Sequence, residues 1–82
     1  MLNQEFNIEY NSAYDILYIR FGDNKDTYGK EIDDGIVLKY DCISNGLVGI
    51  DIWDFKLRVN NNEKIPIPIF LDLSTVYKNL TN

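Results

Sequence analysis

An 82-residue chain makes one small domain, whose core buries only about 60–65% of the unfolded surface. Thirteen acidic against eight basic residues give a net charge of -5, which disfavours a phosphate backbone as partner. With no histidine and a single cysteine, the chain lacks the means for Ser-His or Cys-His catalysis, imidazole metal ligation, an intrachain disulfide or a cysteine zinc site.

Apolar residues recur mostly at period two, the mark of half-buried strands. Phe6, Ile8 and Tyr10 form the first set and Leu17, Ile19 and Phe21 the second. Tyr28 and Ile32 flank Lys30 in the third. Ile36, Leu38 and Tyr40 form the fourth, and Val48, Ile50 and Ile52 the fifth. Turn formers separate them at Asn11-Ser12, Gly22-Asp23-Asn24, Asp33-Asp34-Gly35 and Ser44-Asn45-Gly46. Connections this short forbid parallel crossovers. The fold class is therefore α+β: a five-stranded antiparallel meander sheet with a C-terminal helix covering one face.

Register follows from keeping one face apolar. Tyr10 is set opposite Leu17, Ile8 opposite Ile19 and Phe6 opposite Phe21. The loop from Gly22 to Thr27 sets Phe21 against Tyr28 and Leu17 against Ile32. The three-residue loop Asp33-Asp34-Gly35 sets Ile32 against Ile36 and Tyr28 against Tyr40. The loop from Cys42 to Gly46 sets Tyr40 against Val48, Leu38 against Ile50 and Ile36 against Ile52. One face is then apolar except at Lys30.

Beyond the sheet, Trp53, Phe55, Leu57 and Val59 alternate with polar residues and read as a further strand, out of phase with Ile52. Asn60-Asn61-Asn62 is a turn or loop. Ile65-Pro66-Ile67-Pro68-Ile69 is an edge strand or polyproline-like arm, since proline lacks the N–H a central strand needs. Leu73, Val76, Tyr77 and Leu80 keep helical spacing, with Asp72 or Ser74 able to cap the start. The whole is one domain over 1–82: sheet over 6–52, connecting segment and arm over 53–71, helix over 72–81.

The same register lays the second face out in rows. One holds Glu9, Tyr18, Glu31, Val37 and Asp51; the next holds Asn7, Arg20, Gly29, Lys39 and Gly49. Glu9, Tyr18, Glu31, Asp51, Arg20 and Lys39 are the candidate partner contacts: carboxylates for a basic partner and Tyr18 as an anchor. A solvated face with weak cross-strand ion pairs is the simpler account of the same charges. Asp33-Asp34 beside Glu31 could suggest a cation or acid/base site, but aspartates before a glycine are turn formers. Cys42 is a small loop residue, and no serine sits in a nucleophile motif.

The motifs over Tyr10–Asp54 resemble the bacterial family catalogued as domain of unknown function 2283. They are Tyr10-Asn11, Asp15-Ile16-Leu17-Tyr18-Ile19-Arg20, Glu31-Ile32-Asp33-Asp34-Gly35-Ile36-Val37-Leu38 and Val48-Gly49-Ile50-Asp51-Ile52. The resemblance implies a small β-rich domain, a short helix after Ile52, no assigned enzyme activity and an antitoxin-like role. The loop from Cys42 to Gly46 is one residue longer than that pattern, and Phe55 and Leu57 are larger than its residues after Ile52.

The expectation is a non-catalytic interaction module, antitoxin-like or another inhibitor of a basic partner such as a toxin or nuclease. The alternative is a small enzyme or divalent-cation-binding protein using the sheet-face carboxylates. No cofactor, nucleic acid or membrane partner is expected. The absence of a basic, apolar leader in Met1–Tyr10 and the lone cysteine point to the cytoplasm. A homodimer is expected, with Ile65, Ile67 and Ile69 of the apolar arm, or Val37 on the second face, at its contact.

Overall fold

The computed structural model describes residues 7–21, 26–69 and 71–80. Phe6 and its pairing with Phe21, most of the loop after Phe21, Phe70 and the last two residues lie outside the described residues. Five strands, β1 (Asn7–Asn11), β2 (Ile16–Arg20), β3 (Thr27–Asp33), β4 (Ile36–Asp41) and β5 (Leu47–Trp53), form one antiparallel sheet. Two helices follow, α1 (Phe55–Asn60) and α2 (Leu73–Leu80). None of the described helices is long and apolar enough to cross a membrane.

The strand order is β1-β2-β5-β4-β3, which replaces the expected meander order within the same α+β class. β2 pairs with β5, Leu17 facing Ile52 and Ile19 facing Ile50. The pairings of Phe21 with Tyr28 and Leu17 with Ile32 do not occur. The physical reason is polarity. Six of the seven β3 residues are exposed, so β3 suits an edge, where unpaired backbone groups meet water. β2 and β5 carry the buried residues Leu17, Ile19, Ile50 and Ile52 and take the interior. A meander would have placed β3, with Lys30 on the apolar face, at the centre.

Within the hairpins the register holds. Tyr10 faces Leu17 and Ile8 faces Ile19. Tyr28 faces Tyr40, and the two rings stack at 5.5 Å. Leu38 faces Ile50 and Ile36 faces Ile52. Two irregularities adjust the ends. The ladder shifts between Glu31 and Asp33, so Asp33 rather than Ile32 meets Ile36. It shifts again at Lys39 and Tyr40, so Tyr40 meets Leu47 rather than Val48. Gly35 turns the β3–β4 hairpin at φ 82, a conformation that glycine adopts without strain.

The core lies on one sheet face. Leu17, Ile19, Ile36, Leu38, Ile50 and Ile52 pack with Phe55 of α1 and Val76 of α2. The run from Trp53 to Val59 is not a strand. Trp53 ends β5, and the chain turns at Asp54, φ 56, into α1. This short helix agrees with the family resemblance rather than with the alternation of side chains. Its Phe55 lies edge-on between Tyr10, at 6.3 Å, and Tyr77, at 6.4 Å. α2 starts where expected. The Asp72 carboxylate accepts the Ser74 N–H at 3.1 Å and the Thr75 hydroxyl at 2.8 Å. These bonds hold its carboxyl below the usual range. Leu73, Tyr77 and Leu80 turn toward the core, and Tyr77 donates to Asn60 Oδ1 at 2.8 Å, joining the two helices. Ile65, Ile67 and Ile69 are half-buried against the same core. The arm therefore covers its own sheet.

Candidate functional site

With both helices and the arm on one face, none of the described elements covers the opposite face of the sheet, its open face. Its rows contain the residues expected, in a new order. The first runs Glu9, Tyr18, Asp51, Val37, Glu31 and the second Asn7, Arg20, Gly49, Lys39, Gly29. The row contents survive because every pairing keeps residues of one parity together, whatever the strand order.

The new order changes the electrostatics. Arg20 and Asp51, which a meander would separate by two strands, now sit on neighbouring β2 and β5. Arg20 Nη1 donates to Asp51 Oδ1 at 2.8 Å and to the Ile19 carbonyl at 3.0 Å. The guanidinium also lies 5.5 Å from the Tyr18 ring centroid. Three expected contacts are thus joined to one another on the floor of this face.

Gly49 is what lets Arg20 lie down. A Cβ there would stand 2.8 Å from the Ile19 carbonyl oxygen and 2.9 Å from Arg20 Nη1. Backbone cannot move aside as a flexible side chain can. Gly49→Ala is therefore expected to cost roughly 1–3 kcal/mol, as overpacked sites do, read as a lower urea midpoint. An unchanged midpoint would show that the strands separate freely there.

The remaining expected contacts stay apart from this group. Glu9 stands at the β1 edge and Glu31 at the β3 edge. Glu31 Oε2 accepts the Gly35 N–H at 3.1 Å. Lys39 lies between Gly49 and Gly29 and enters no ion pair among the described residues. Among the described residues no three potential metal ligands come together. Val37 is half-buried on the open face, whereas Ile65, Ile67 and Ile69 are on the covered side.

Sequence reasoning missed three residues that shape the site. The first is Asp15, at φ 56 in the β1–β2 turn. Its Oδ1 accepts the Tyr10 hydroxyl at 2.7 Å and the Lys56 N–H at 2.8 Å, and its Oδ2 accepts the Leu57 N–H at 3.3 Å. Asp15 thus caps α1 from 41 residues away, and no local spacing signals it. Burial opposes its charge, but the bonds from Lys56, Tyr10 and Leu57 outweigh that and hold its carboxyl below the usual range. Tyr10 moves the other way: burial first, then the bond to Asp15 and its negative charge, push the phenol up to about 12.

The second is Arg58 of α1. Its Nε donates to the Trp53 carbonyl at 2.7 Å and Nη1 to Glu63 Oε1 at 2.7 Å, while Nη2 donates to the Asp34 carbonyl. One guanidinium thereby locks the β3–β4 turn to the end of β5. The third is Trp53, opposite Ile16 on the open face. Ile16 is only 3% exposed there, whereas Trp53 is 48% exposed.

A five-stranded antiparallel sheet with helices on one face and a charged, aromatic floor on the other defines a small α+β domain. The chain belongs to the family described as Protein of unknown function (DUF2283), whose profile matches residues 7–56. That segment spans all five strands and the first residues of α1, Asp15 and the Lys56 N–H it binds included. Comparison with curated proteins and with solved structures gives no match.

Proposed function

We propose that this chain is a non-catalytic protein-interaction module, antitoxin-like or another inhibitor of its kind, that takes a basic protein on the open face of its sheet. A toxin or nuclease fits that description of the partner. The observation that carries the reading is the one-sided cover. Helices and arm occupy a single face, and the other presents Tyr18, Val37 and Trp53 with Glu9 and Glu31 at its edges. Neither Glu9 nor Glu31 meets a cation among the described residues. Surface carboxylates beside aromatic anchors speed and orient capture of a positively charged partner.

A homodimer through the arm loses its motive, because Ile65, Ile67 and Ile69 already pack within one chain. The cation-binding alternative has no observation in its favour, since Asp51 is engaged by Arg20.

The test is affinity capture from the native host at low salt, with the full chain as bait and mass spectrometry as readout. A basic protein released by salt, and lost with a Glu9→Gln/Glu31→Gln bait, is the expected result. Retention of nothing at low salt, or of proteins indifferent to that double change, overturns the reading.

A further inference from the structure

Six large apolar side chains are markedly exposed among the described residues. Four of them, Tyr14, Ile32, Trp53 and Leu57, lie at one end of the sheet. The β1–β2 turn, the β3–β4 turn and the β5–α1 junction meet there. Their backbones are tied together: the Phe55 N–H donates to the Asp15 carbonyl at 3.0 Å and the Trp53 N–H to the Gly35 carbonyl at 2.8 Å. Arg58 adds its bonds to the Asp34 and Trp53 carbonyls. The exposed side chains are thus carried on a braced frame, which lowers the ordering cost of binding.

Two adjoining clefts open at this end, of about 340 and 270 Å³. Trp53 lines the first and Leu57 the second, and Asp34 and Asp54 line both. Trp53 is 48% exposed and Leu57 56%, so each offers apolar surface to a ligand in its cleft.

The charge left unpaired around them has one sign. Asp34 and Asp54 enter neither of the two ion pairs among the described residues. Asp54 stands at the N-cap of α1, yet its side chain caps nothing, because Asp15 bonds the Lys56 and Leu57 N–H groups instead. The cations nearby are turned to other work. All three Arg58 nitrogens donate within the fold, and Lys56 Nζ lies 5.0 Å from the Tyr10 ring centroid.

Apolar anchors flanked by unpaired carboxylates complement a segment that mixes apolar and cationic side chains. A second copy of the chain is a poor occupant, because it would bring the same carboxylates face to face. We propose that this end of the sheet, centred on Trp53 and Leu57, docks an amphipathic basic segment of the partner protein. The segment's apolar side chains lie against Trp53 and Leu57, and its lysine or arginine side chains face Asp34 and Asp54. The proposal rests on the reading of the chain as a module for a basic protein. It places the energetic centre of binding at the Trp53 tip rather than along the row from Glu9 to Glu31.

Trp53 is the only tryptophan, so its emission reports on the site directly. The full chain is titrated with two synthetic peptides of equal length, one mixing leucine with arginine and the other leucine with glutamate. The arginine peptide is expected to shift Trp53 emission saturably, and the glutamate peptide to leave it unmoved. Asp34→Asn/Asp54→Asn is expected to weaken binding roughly tenfold, the loss of about 1.4 kcal/mol. Asparagine tolerates the left-handed backbone at Asp54, so this variant keeps its fold. Asp26→Asn/Asp41→Asn removes the same charge at the opposite end of the sheet and is expected to weaken binding less than about threefold, as screened distant charges do.

Equal weakening by the two double variants overturns the proposal, because net charge alone then explains binding. Calorimetric binding of the arginine peptide with silent Trp53 emission also overturns it, while leaving the open face near Glu9 as the contact. No binding by either method removes the tip as a docking site, and the capture experiment then decides the broader reading separately.

Discussion

Phe55→Ala is expected to remove a large share of the domain's stability. Phe55 is fully buried, with no exposed surface, and it is the side chain through which α1 enters the core. Its ring lies edge-on to both Tyr10 of β1 and Tyr77 of α2. Truncation removes the apolar contacts, opens a cavity and strips both tyrosines of an aromatic partner. Such changes cost about 3–5 kcal/mol, a large share of the roughly 5–15 kcal/mol that holds small domains folded. Urea unfolding followed by circular dichroism reads the loss, and Phe55→Leu is expected to recover more than half of it. A loss under about 1 kcal/mol would mean that α1 is not seated as the structure has it.

Asp15→Ala is the second large effect, and its size comes from polar groups rather than volume. It removes the acceptor for the N–H groups of Lys56 and Leu57 and for the Tyr10 hydroxyl. Loss of a helix cap together with a half-buried hydroxyl left unbonded costs roughly 2–3 kcal/mol. The same bonds predict a pH signature. The Asp15 carboxyl is lower in the folded chain than its ordinary value, so its contribution is full above the unfolded value, about 3.9. That contribution disappears as pH falls through the lower folded value. The Tyr10 phenol is raised to about 12, so its contribution is full below the unfolded value, about 10, and disappears as pH rises through the folded one. Stability measured across pH should therefore fall at both extremes in the native sequence. Asp15→Asn should flatten the acid limb and lower the Tyr10 titration, read by phenolate absorbance. An unchanged acid limb in Asp15→Asn would remove Asp15 as the cap.

How far these features were legible depended on distance along the chain. The β1–β2, β3–β4 and β4–β5 pairings are set by short turns, so alternation and loop length place Tyr10 against Leu17 and Leu38 against Ile50. The partner of β2 is a different problem. Pairing β2 with β3 or with β5 gives the same rows of side chains, so the register test could not separate them. Lys30 was the signal that could have. A lysine on an otherwise apolar face fits an edge and resists a centre. The site divides likewise. Tyr18, Asp51, Glu31 and Val37 fall on the open face as periodicity requires, whereas the Arg20–Asp51 contact needed the true strand order. Asp15 was hidden because its work is done 41 residues on. Trp53–Val59 misled because six helical residues are too few for a 3.6-residue period to stand out against alternation.

The strand order also has a consequence for how the protein is made. Translation releases β1 and β2 first, and they form a hairpin with one neighbour missing. A lone hairpin is only marginally stable in water. The missing neighbour is β5, which ends at Trp53, so β2 keeps an open edge while three further strands are synthesised. β5 is joined to β4 and β4 to β3 by short turns, so the sheet divides into two locally paired units, β1–β2 and β3–β4–β5. The sheet therefore has no stable partial form in which the first half waits alone. An early stop before residue 53 leaves the apolar flank of β2 without its cover.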